Sequence, residues 1–108
     1  LKSWPYKNNK KEWNEALDAY GMTEKEMLEF KGNPLDNAEK LAEYGVPLLM
    51  IAGDADDVVP YGENGEPFIK RFNAAGGSAE VIIKSGCGHH PHSLENPQPI
   101  VDFVEKYL

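Results

Sequence analysis

The sequence predicts an α/β fold: a β-α-β-α unit with parallel strands, preceded by a helical segment. Three observations carry this. Residues 46–52, VPLLMIA, form an unbroken apolar run, rich in branched side chains, too short for a globular helix and closed by Gly53. Such a run reads as a strand buried on both faces, as strands of parallel sheets are. A second short apolar run, residues 79–84, follows after a stretch of helical periodicity. A helical crossover implies parallel strands joined in a right-handed connection. Finally, the residues able to do chemistry gather just past the ends of those two runs, where open α/β sheets place their ligand sites.

Taken in order, residues 1–8 are polar and aromatic and suggest no element. Residues 9–20 place Trp13, Ala16, Leu17 and Tyr20 at helical spacing, with Asn8 or Asn9 as cap and Gly21 as stop. Thr23 with Glu26 makes a capping box for a short helix carrying Met27, Leu28 and Phe30 and ending near Gly32. Asn33 and Pro34 open a third helix with Leu35, Ala38, Leu41 and Ala42 on one face and Gly45 after it. Pro47 is tolerable because it opens the first strand. Phe68, Ile69 and Phe72 mark the crossover helix, about residues 63–75, with Pro67 in its first turn and Gly76-Gly77 as its end. Val81, Ile82 and Ile83 centre the second strand. Asn96 and Pro97 open a last helix with Ile100, Phe103, Val104 and Tyr107 on one face. A sheet of two strands is marginal alone, and a parallel sheet needs cover on both faces. The expectation is therefore a piece of a larger domain, or failing that, association of copies through the strand edges. Leu1 rather than Met opens the chain, which agrees with a portion lying upstream.

Composition excludes several function classes. The 108 residues, 41% hydrophobic and 27% charged, make one globular domain at most. A net charge of −7, from 18 acidic and 11 basic residues, lacks the basic footprint that nucleic acid or an anionic membrane surface requires. Neither is expected as a partner. The single Cys87 excludes an internal disulfide and a multi-cysteine zinc site, and no cofactor is expected.

The chemistry sits in two loops. Asp54, Asp56 and Asp57 follow the first strand, and His89, His90 and His92 follow the second, after Gly86 and Gly88. If the strands are neighbours, their carboxyl ends lie about 4.8 Å apart, and one aspartate can meet one histidine. Such a carboxylate fixes the imidazole tautomer and stabilises the imidazolium, while the other ring nitrogen takes a proton from a nucleophile. A turn-forming aspartate bonding its own backbone is the plain alternative. Three histidines beside three aspartates would also suit zinc. However, His89 and His90 are adjacent and Pro91 stiffens the chain, so their rings are expected to point apart and no metal is expected. Cys87 reads as a small buried or half-buried residue. The Trp13, Tyr20, Met27 and Phe30 group reads as helix packing that could also line an acyl or sugar pocket.

The segments GDADDVVP and GHHPHS resemble the C-terminal part of an α/β-hydrolase, close to bacterial carboxylesterase-type members. In that family the acid follows the strand-ending glycine by three residues, in G-x-x-D-x-x-V-P; Gly53, Asp56, Val59 and Pro60 match. The histidine follows a G-x-G-H turn, matched by Gly86, Gly88 and His89. The order acid then histidine agrees too. The resemblance implies catalytic roles for Asp56 and His89; Asp54 and Asp57 keep the plain reading of solvated loop acids, and His90 and His92 that of loop histidines or rim contacts. It covers residues 33–108 as the C-terminal part of the hydrolase core, with residues 1–32 similar to a helical lid or cap. The G-x-S-x-G elbow of the family is absent; Ser3, Ser78, Ser85 and Ser93 have no such setting. The expected protein is thus a fragment of a serine hydrolase acting on a small-molecule ester, carrying acid and histidine but no nucleophile and inactive alone. Its partner would be the missing N-terminal part of the same domain or a second copy of the chain. A non-catalytic α/β module that binds or assembles is the alternative.

Overall fold

The computed structural model describes residues 3–108. Four helices precede the sheet: α1 (Ser3–Asn8), α2 (Lys10–Tyr20), α3 (Glu24–Glu29) and α4 (Ala38–Glu43). Strand β1 (Leu48–Gly53), helix α5 (Gly65–Ala74), strand β2 (Ala79–Lys84) and helix α6 (Gln98–Lys106) follow.

Local sequence explains most of these boundaries. The Asn9 side chain accepts from the Glu12 N–H at 3.1 Å, and Gly21 closes α2 at φ 62°. Thr23 and Glu26 form the reciprocal capping box, at 3.2 and 2.7 Å. Helix α3 ends earlier than expected, at Glu29, where Phe30 turns extended. Residues 33–45 also differ from a single helix. Pro34–Asn37 is a 3-10 turn, and the α-helix begins only at Ala38. Asn33 and Asp36 bond each other across that turn, which tightens it. Helix α1, which the sequence did not suggest, carries no acidic residue in its first turn and packs Tyr6 edge-on against Trp13.

Strands β1 and β2 are parallel neighbours, in register from Leu48↔Ala79 to Gly53↔Lys84. Helix α5 crosses between them, so the α/β character read from the sequence is present. The core lies on one face of this pair. Phe72, Phe68, Ile69, Ala38 and Ala42 are buried, with Leu48, Met50 and Ala79 of the strands packed against them. Trp13 and Met27 are buried apart from that core, in the first helices. There the Trp13 indole N–H donates to Glu24 at 2.9 Å.

Burial on both strand faces is the expectation that fails. Every residue of β1 is only partly buried, and Val81 and Ile83 of β2 are exposed. The physical reason is missing cover: α6 has no buried residue, and its polar tie to the sheet is the Lys106–Glu80 ion pair at 2.7 Å. The sheet has two strands among the described residues, leaving both outer edges unpaired. The radius of gyration is 15.7 Å, against about 13 Å for a compact domain of this length. The accessible surface is 7325 Å², against roughly 6,000 Å² for a compact monomer of this mass. Among the described residues, no helix is long and apolar enough to cross a membrane.

Candidate active site

Both loops rise from the same rim because the strands are parallel and end flush, Gly53 opposite Lys84. Backbone bonds stitch them together. The Asp54 N–H donates to the Lys84 carbonyl at 3.3 Å and the Ala55 N–H to the Cys87 carbonyl at 3.0 Å. The Asp54 carboxylate accepts from the Gly86 N–H at 2.6 Å. Gly86 takes φ 69°, the left-handed region that glycine enters without steric cost. Gly53 is required for another reason: a Cβ there would collide with the backbone carbonyls of Cys87 and Gly88. The glycine ending the first strand thus makes room for the histidine loop.

Asp56 is placed by its own turn. Its Oδ1 accepts from the N–H groups of Val58 at 3.0 Å and Val59 at 2.8 Å. Its Oδ2 lies 2.9 Å from Nδ1 of His89. The turn-forming and histidine-binding readings of this aspartate are therefore both realised, one on each oxygen. Its side chain is 14% exposed and that of His89 30%. Burial pushes the Asp56 carboxyl up, but bonds from Val59, His89 and Val58 outweigh it and hold the group below the ordinary carboxylate value. A carboxylate so held stays ionised and fixes the imidazole with its Nε2 unclaimed by Asp56.

The pair borders an open cleft of about 330 Å³, lined also by Val59, Tyr61, Asn64 and His92. Lys84 donates to the Pro91 carbonyl at 2.6 Å and pins the far side of the histidine loop. Ser93 lines the same cleft, yet among the described residues no serine hydrogen-bonds the imidazole. Cys87 is half-buried and contributes its backbone carbonyl rather than its thiol.

Two expectations about the loops change. Asp54 is exposed, as read, but it clasps the histidine loop instead of standing in solvent. The rings of His89 and His90 do not diverge. All three imidazoles meet edge-on, with centroids 5.0, 5.0 and 4.4 Å apart. The turn at Ser85-Gly86 and the bends at His89 and Pro91 fold the loop so that the rings meet, which residue adjacency alone does not convey. Lys84 was not singled out from the sequence; its place as the last residue of a strand beside the histidine loop was the available signal.

The arrangement can take and return a proton at His89 Nε2 beside a cleft open to substrate, which is the base half of nucleophilic acyl chemistry. The sequence model of the prolyl oligopeptidase family matches residues 4–108. Neither a curated protein nor a solved structure matches the chain.

Proposed function

Because this chain belongs to the prolyl oligopeptidase family, a family of serine hydrolases with the α/β-hydrolase fold, we propose that Asp56 and His89 are the acid and base of a catalytic triad. The nucleophilic serine lies outside this chain, which alone hydrolyses nothing. Asp56 orients His89 through Nδ1, and Nε2 draws the proton from the serine as its oxygen attacks the acyl carbon. The imidazolium, stabilised by Asp56, then returns the proton to the leaving group. The observation that carries this reading is the 2.9 Å contact between Asp56 and His89 at the shared end of two parallel strands.

The proposed substrate is a small carboxylic ester, bound in the cleft beside His89 and completed by the upstream part of the same domain. The segment 1–32 acts as a lid over the core of residues 33–108; the burial of Trp13 and Met27 outside the main core supports that division. A second reading, hydrolysis of short peptides, is favoured by the family match. Assays on the intact protein with paired ester and amide substrates of one acyl group separate the two. In that protein Asp56→Asn is expected to lower kcat on the order of 10⁴-fold with little change in KM, because it disfavours the useful tautomer. Full activity of Asp56→Asn would move the acid role to Asp54 or Asp57. Full activity of His89→Ala would end the triad reading.

A further inference from the structure

We propose that His89, His90 and His92 form a binding site for a first-row transition-metal ion such as zinc. One potential ligand atom from each lies within 4.8 Å of the others. Imidazole nitrogens bound to tetrahedral zinc at about 2.0–2.1 Å stand roughly 3.4 Å apart. Closing the cluster to that spacing asks for movements of about 1 Å, within reach of the broad χ2 torsion of histidine. His90 and His92 are exposed and have room to make them. The donor set suits zinc, copper or nickel. Three imidazoles leave a fourth position for water.

Two observations beyond the cluster point the same way. Asp56 holds Nδ1 of His89, so Nε2 is the nitrogen left for the ion. A carboxylate on the second ring nitrogen is the support that metal-ligating histidines commonly have, fixing the tautomer and raising basicity. The loop backbone is also anchored on both sides of His89 and His90. The Cys87 carbonyl is tied to Ala55 and the Pro91 carbonyl to Lys84. The Lys84 ammonium opposes a cation there, while the three aspartates of the neighbouring loop and the net charge of −7 favour one.

The site stands on its own geometry. Its consequence for turnover rests on the triad reading. An ion on His89 Nε2 occupies the lone pair that would accept the serine proton, so metal occupancy and catalysis exclude each other.

The test is a zinc titration of the tag-free full chain against a chromophoric chelator, with imidazole proton NMR as second readout. One ion per chain is expected, shifting all three histidine ring signals together. His90→Ala and His92→Ala should each weaken binding about tenfold or more, since even the loss of a group that only supports a ligand costs that much. Both positions are exposed, so these variants test the site without emptying a core. Unchanged affinity in both variants overturns the proposal. In the active full-length enzyme, zinc should lower turnover and EDTA restore it. Zinc binding that leaves turnover intact would remove His89 from the base role while the metal site remains.

Discussion

At the scale of single residues, geometry around Gly53 matters as much as the charged groups. Its missing side chain lets two carbonyls of the histidine loop pass over the end of β1. Gly53→Ala forces backbone against Cβ and is expected to destabilise by roughly 1–3 kcal/mol, the range of overpacking. Denaturant midpoints would measure it, and crystallography of the variant should show the histidine loop displaced. Asp56 gives a signed pH effect. Its carboxyl is held below the ordinary value in the fold, so as pH falls the unfolded chain protonates it first, near about 3.9. Its contribution to stability is complete above that value and drains away as pH drops through the lower folded value. The stability gap between the protein and Asp56→Asn should therefore hold steady down to about pH 4 and shrink below it. A gap that widens on acidification contradicts this. Asp56 stands out in the sequence through the resemblance to the α/β-hydrolase pattern, three residues after Gly53 and three before Val59. Asp54 does not, since its partner is an N–H 32 residues away, and no local pattern encodes a bond across two loops.

Among the elements, helices with side-chain caps were the most legible. Asn9, Thr23 and Glu26 do locally what their spacing says. Thr23→Ala removes one half of the box and should cost about 1 kcal/mol. The loss should appear in thermal unfolding, and a drop in helical circular dichroism would show α3 fraying first. Two elements resisted reading for physical reasons. Helix α1 is only six residues long with no acidic first turn, and so short a helix depends on its neighbours more than on propensity. The tightened turn Pro34–Asn37 follows from Asn33 and Asp36 bonding each other, a competition between side chain and backbone that periodicity does not register. Both strands fall within a residue or two of their expected places, since short apolar runs with glycine close by leave little choice. Their burial is lower than their composition predicts, because the cover such apolar strands call for is missing on one face.

For the molecule as a whole, the surplus surface is the guiding quantity. Subtracting the roughly 6,000 Å² expected of a compact monomer from 7325 Å² leaves roughly 1,300 Å². One partner in a standard interface buries about 800 Å². The exposed faces of Val81, Ile83, Val101, Val104 and Tyr107 contribute to that surplus. We expect the isolated chain to self-associate or to bind a dye for apolar surface. Light scattering and fluorescence check both, and a stable dye-free monomer of the isolated chain would contradict the expectation.

The flush ends of the two strands carry a lesson about which mutations such a protein can accumulate. Thirty-three positions separate the acid from its imidazole along the chain, yet that count is under no constraint. Extra residues beside the crossover helix add little entropy, about 0.6 kcal/mol for each doubling of a loop. A single residue inserted within either strand would instead slide one loop past the other by about 3.3 Å, enough to part Asp56 from His89, now 2.9 Å apart. Genetic drift in length is thus free in the connector and forbidden in the rungs.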